Sequence, residues 1–95
     1  MKHYVLLKLA PGADAVDAQQ KLWKAYRKLD DALDWLNHPV VYRSCMDTDS
    51  SFDLMTIVEM EGEEQLAEYR AHPLVAEMAE ALKPLIAKKK TFDHY

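Results

Sequence analysis

Glycine is nearly missing from this chain: Gly12 and Gly62 are the only two in 95 residues. Without a glycine-rich run there is no loop whose bare backbone could cradle a phosphate, so nucleotide cofactors held that way are disfavoured. Cysteine is scarcer still. Cys45 stands alone, which excludes an intramolecular disulfide framework, and nothing near it in sequence activates the thiol as a nucleophile. No apolar run reaches the ~18–20 residues of a membrane-spanning helix. Met1-Lys2-His3 leads straight into a strand-like segment, with no charged, apolar and cleavage regions in series. A cytoplasmic location is the expectation. Basic charge is short as well. The net charge is −4, whereas nucleic acid and anionic membranes are gripped by clustered Lys and Arg, so neither is an expected partner. The four histidines show no close metal-ligand spacing, and no metal or other cofactor is expected.

What is present is ordinary for a small folded domain: 49% hydrophobic and 29% charged residues. At this length one domain spanning residues 1–95 is expected, with a core so limited that association is one way to enlarge it. Lys2–Leu9 reads as a strand whose two faces, His3/Val5/Leu7/Leu9 and Tyr4/Leu6/Lys8, are both largely apolar. Pro11-Gly12 breaks it. Asp14 is a plausible N-cap for a helix from Ala15 to about Leu36, with Leu22, Tyr26, Leu29, Leu33 and Leu36 at helical spacing. Asn37-His38-Pro39 is expected to stop that helix. Val40–Met46 and Phe52–Met60 read as strands joined by the polar turn Asp47–Ser51. A short helix from Glu63 to about Ala71 is interrupted at His72-Pro73. A further helix runs from about Leu74 to Lys83, and Ile86–His94 forms a last strand.

The order β-α-β-β-α-β is the ferredoxin-like α+β pattern. Its helices can cover only one face of a four-stranded sheet, yet the strands carry apolar residues on both. A bare apolar sheet face marks an interaction surface. The economical occupant is a second copy packed sheet to sheet, a homodimer.

The same pattern resembles the stress-responsive dimeric A/B-barrel (Dabb) family over nearly the whole chain. The residues that carry the resemblance are His3 near the start of the first strand, the box Tyr69-Arg70-Ala71-His72-Pro73, and the terminal Phe92-Asp93. The family implies a dimeric α/β barrel. Its plant members include stress-induced proteins and a polyketide cyclase that closes a ring by aldol condensation. Family members often continue the box as His-Pro-x-His, and in the cyclase that second histidine is catalytic. Here Val75 stands in its place, so only His3 and Tyr69 carry over. The family's Pro-Gly before strand two and its late glycine there are also replaced, by His38-Pro39-Val40 and Ser44-Cys45-Met46.

His3, if its strand face lines the barrel, is an ionisable group in an apolar cavity, able to act as a general base or as a hydrogen-bond partner of a carbonyl. Its bland alternative is a barrel-mouth histidine satisfied by backbone or water. Tyr69 could offer its hydroxyl to a developing oxyanion, or be a core aromatic with a wet tip. His72 belongs with His3 and Tyr69 as a candidate ligand contact, although capping the following helix is the more local task. His38 and His94 sit at element ends and read as solvated. Asp47, Asp49 and Asp53 lack an EF-hand arrangement and read as a wet turn. Lys88-Lys89-Lys90 could hold an anion or simply charge a sheet edge. Trp23 and Trp35 could anchor a dimer or pack locally. Three functions follow: a dimeric barrel binding a small apolar or carbonyl-containing ligand; a cofactor-free enzyme, cyclase/lyase-like or monooxygenase-like, using His3 and Tyr69, the oxygenase by fold analogy alone; or a stress-protective assembly without ligand.

Overall fold

Lys2–Leu9 forms the first strand, β1, and Ala15–Ala32 the long helix α1. Strands β2 (Asn37–Arg43) and β3 (Leu54–Glu59) follow, then helices α2 (Glu63–Ala71) and α3 (Pro73–Leu82). A 3₁₀ turn at Lys83–Leu85 leads into the last strand, β4 (Ile86–His94). This computed structural model describes residues 1–95. The four strands pair antiparallel in the order β2-β3-β1-β4, the ferredoxin-like arrangement, with β1 and β3 central.

Local chemistry explains where the elements begin and end. Asp14 caps α1 by accepting from the Val16 and Asp17 N–H groups, and Gly12 turns the chain at φ 83°. The helix stops at Ala32, short of the expected Leu36. Asp30, Asp31 and Asp34 crowd its negative end, with no basic residue in the last turn, and Leu33 leaves the helical region at φ −120°. Leu33 and Leu36 are nevertheless buried, so their apolar spacing served the core rather than the helix.

Strand β2 begins three residues earlier than the Val40–Met46 expectation and ends at Arg43. Pro39 is tolerated because β2 is an edge strand. Pairing is irregular between Asn37 and Val40, where His38 takes a positive φ of 47°. Beyond Arg43, the Ser44 hydroxyl accepts from the Met46 N–H and donates to the Met46 carbonyl, both at 3.0 Å, folding those residues into the turn. Strand β3 starts at Leu54 rather than Phe52, since Asp53 turns its carboxylate to the Leu9 N–H at 2.8 Å.

The core lies between α1 and one face of the sheet. Leu22, Tyr26 and Leu29 from α1 meet Leu7, Val41, Leu54 and Val58 from the strands, all buried. His3 shares this covered face, being 3% exposed. The condition that the His3 face line a barrel between two sheets is therefore not met, because that face lies under the helices. The cavity His3 can reach belongs to one protomer, between sheet and helices. The opposite face carries Tyr4, Leu6, Val40, Tyr42, Met55, Ile57 and Phe92 with no helix over it. Tyr42 is 54% and Phe92 62% exposed.

Candidate functional site

The α2–α3 junction opens the helix layer. His72 leaves the helical region at φ −70°, ψ 134°, and Pro73 begins α3. The next amide, Leu74 N–H, donates to His72 Nδ1 at 3.1 Å. Proline at the first helical position lacks an N–H that would be unpaired there anyway. His72 therefore caps α3 and stands outside the lining of the main cavity, although it shares a candidate ligand role in the sequence with His3 and Tyr69.

Behind the junction lies a partly open cavity of about 730 Å³, within the range of small-molecule sites. His3, Val5 and Leu7 of β1 form its floor with Thr56 of β3 and Thr91 of β4. Leu22 and Tyr26 of α1, Tyr69 of α2, and Val75, Met78 and Leu82 of α3 form the walls. Two polar devices sit on this apolar lining. In the first, His3 Nδ1 lies 2.5 Å from an Asp93 carboxylate oxygen, joined by the direct pairing of His3 with Asp93 across β1 and β4. A carboxylate on Nδ1 fixes the ring orientation and favours the tautomer with its proton there. Nε2 makes no hydrogen bond, and no walled-off side-chain nitrogen or oxygen lacks a partner. Nε2 is therefore open to the cavity as an acceptor.

The second device is a chain of hydroxyls. Tyr26 bonds to Thr56 at 3.1 Å and to Tyr69 at 3.0 Å. Burial raises the Tyr69 phenol well above its ordinary pKa, and the Tyr26 phenol beside it adds to the shift. Burial raises Tyr26 too, and its bonds to Thr56 and Tyr69 oppose that only in part. Both phenols are therefore neutral hydroxyls near pH 7, each with one proton to donate. The hydroxyls can donate in either direction along the chain; when they run from Thr56 through Tyr26 to Tyr69, the Tyr69 proton is left for an incoming oxygen. The His3 and Tyr69 rings stand edge to face with centroids 5.7 Å apart, so an acceptor and a donor share one wall.

Asp93, Tyr26 and Thr56 completed the site without a sequence signal that assigned them to it. Tyr26 was visible only as part of the α1 apolar stripe, and Asp93 only through the terminal Phe92-Asp93 of the family resemblance, with no role attached. The β1–β4 register supplies what was missing. Of the remaining candidates, His94 is not simply solvated. Its ring stacks on Tyr4 at 5.4 Å, and Nε2 bonds the Tyr4 hydroxyl at 2.9 Å, on the uncovered face. Cys45 is exposed. No helix is long and apolar enough to cross a membrane.

Fold and site together define a ferredoxin-like α+β domain with a ligand-sized cavity under its helices and an apolar sheet face left bare. The chain belongs to the stress responsive A/B barrel domain (Dabb) family, which it matches over residues 1–95. Among solved structures, it is similar to a dimeric ferredoxin-like protein of unknown function from Bacteroides fragilis: TM-score 0.83, 17% identity, covering 98% of this chain and 92% of that one. A Dabb family protein from Mesorhizobium loti aligns with TM-score 0.74 and 19% identity, covering 99% and 93%. Hydroxynitrile lyase from Passiflora edulis aligns with TM-score 0.77 and 13% identity, covering 96% and 87%. Among curated proteins none matches by sequence.

Proposed function

We propose that this protein is a homodimer, joined through its bare sheet faces, that binds a small, mainly apolar molecule bearing a carbonyl or hydroxyl oxygen in the cavity of each protomer. The observation that carries the reading is the convergence of the His3–Asp93 pair and the Tyr69 hydroxyl on one apolar cavity. His3 Nε2 accepts from a ligand hydroxyl, or Tyr69 donates to a ligand carbonyl. The dimer is supported by the exposed Tyr42 and Phe92 and by the dimeric state of the Bacteroides fragilis structure. Acetophenone, titrated into labelled protein, should shift the resonances of His3, Tyr69, Val75 and Thr91. Shifts confined to the uncovered sheet face, or none at all, would remove the cavity reading.

The His3–Asp93 geometry favours a second reading, acid–base chemistry at the ligand oxygen. A carboxylate-held imidazole takes a proton through Nε2, and the neutral Tyr69 phenol steadies the oxygen whose charge changes. The hydroxynitrile lyase of similar fold makes mandelonitrile a sensible first substrate. A general base contributes roughly 10²–10⁴-fold. Turnover should therefore fall by that much in His3→Gln, with fold and association intact. Turnover equal in wild type and variant would leave binding as the function.

A further inference from the structure

Charge is distributed unevenly around the cavity. The protein as a whole is acidic, at −4. The cavity lining nevertheless holds Arg70, Lys83 and Lys89 against Glu80 alone. All four are exposed, so they line the open side of the cavity, while His3, Tyr26, Thr56 and Tyr69 are buried; Arg70 adjoins Tyr69 at the α2 end, whereas Lys83 and Lys89 flank the passage from α3 into β4. None of the three cations has a carboxylate within salt-bridge distance. The ion pairs of lysine in the molecule are Lys8–Asp53 and Lys21–Asp17, and Asp93 is engaged by the His3 ring. The cations come from three separate elements: the last turn of α2, the turn after α3, and β4. Strand alternation sorts the lysine run of β4. Lys89 pairs with Leu7 on the cavity face, while Lys88 and Lys90 pair with Lys8 and Leu6 on the other.

From this placement we infer that the ligand is an amphiphilic carboxylate. Its anionic group rests between Lys83 and Lys89, where α3 gives way to β4, and its apolar body runs inward toward His3 and Tyr69. The inference rests on the cavity reading above and names the ligand class. An apolar lining with unpaired cations at one end matches a molecule with a charged head and a greasy tail. A neutral ligand would leave the cations without a role, and a cationic one would meet repulsion. The mouth is wet, so each ion pair is screened and individually weak. The two acting together give roughly a tenfold preference over the neutral analogue.

Calorimetric titration with three probes of one chain length tests the assignment: octanoate, octan-1-ol and octylamine. Octanoate should bind about tenfold more tightly than octanol, roughly what two exposed ion pairs supply. The gap should narrow as salt rises. Lys83→Gln combined with Lys89→Gln should abolish it, and Lys88→Gln, on the opposite sheet face, should leave it unchanged. Equal affinity for octanoate and octanol, or tighter binding of octylamine, would overturn the carboxylate assignment and leave a cavity ligand of another charge. Failure of all three probes to bind, with no resonance shift at the cavity, would remove the underlying reading as well.

Discussion

Replacing Tyr26 by Phe removes one oxygen atom from the centre of the hydroxyl chain. Tyr26 is 2% exposed and Thr56 1%, so water does not readily repair the Thr56 end. Its hydroxyl loses a partner held at 3.1 Å. Tyr69, itself 3% exposed, loses its partner at 3.0 Å as well. A buried polar group left unpaired costs about 1–3 kcal/mol. For a domain of this size that lowers the melting temperature by roughly 5–20 °C. Tyr69→Phe should cost less, about 0.5–1.5 kcal/mol, because Tyr26 keeps Thr56. The double variant should be less destabilised than the two singles added, since Tyr69 has already lost its partner in Tyr26→Phe; coupling of ~0.5–3 kcal/mol is ordinary for contacting residues. Denaturant titration at one fixed protein concentration, which holds any association constant, gives all three values. A Tyr69→Phe cost equal to or above that of Tyr26→Phe, or strict additivity, would refute the centre-and-end account of the chain.

Other outcomes follow from the same structure. Because burial raises the Tyr26 and Tyr69 pKa values, the unfolded chain loses these protons first as pH climbs past ~10. The phenols' contribution is thus intact below that pH and lost above it, and Tyr69→Phe should flatten the alkaline fall in denaturation midpoint. Leu54→Ala, at a site 2% exposed, should cost about 2–5 kcal/mol. The unfolding midpoint of the wild type should rise with protein concentration if folding and dimerisation are linked, and a folded monomer in sedimentation at micromolar concentration would exclude the dimer. Pro73→Ala should be mild in thermal melts, whereas Met78→Asp places a charge among the cavity's apolar walls and should be severe. Val75→His places an imidazole in the cavity lining, where a relative of this family uses one. Gain of cyclisation on a poly-β-keto substrate would show the pocket otherwise competent; unchanged inactivity would count against that chemistry.

The β-α-β-β-α-β order was legible because hydrophobic alternation, Asp14 and Pro73 all act locally. The α2 span Glu63–Ala71 and the β4 span Ile86–His94 emerged from the sequence with the ends seen in the structure. The end of α1 and the placement of β2 were not, because Leu33, Leu36 and Val40 are apolar for tertiary reasons that mimic a longer helix and a later strand. For the site, His3 and Tyr69 stood out as residue types in a family-like setting. Their pairing with Asp93 and Tyr26 did not. Asp93 reaches His3 only through a strand register spanning most of the chain, and the Tyr26 hydroxyl becomes meaningful only when α1 lies across Thr56. Which sheet face holds the cavity was likewise invisible, since both faces of β1 are apolar and only the helix packing decides between them.

The alternation of β1 lets one strand serve two masters without conflict. His3, Val5 and Leu7 look into the cavity, while Tyr4 and Leu6, one residue away along the backbone, look outward. A point substitution at an odd position can retune what the pocket accepts while leaving the outer surface as it was. One at an even position can redraw that surface without disturbing the pocket. The two surfaces can drift apart over evolutionary time, so chains that keep this scaffold are free to change the cavity lining while keeping the outer face, or to change the outer face while keeping the lining.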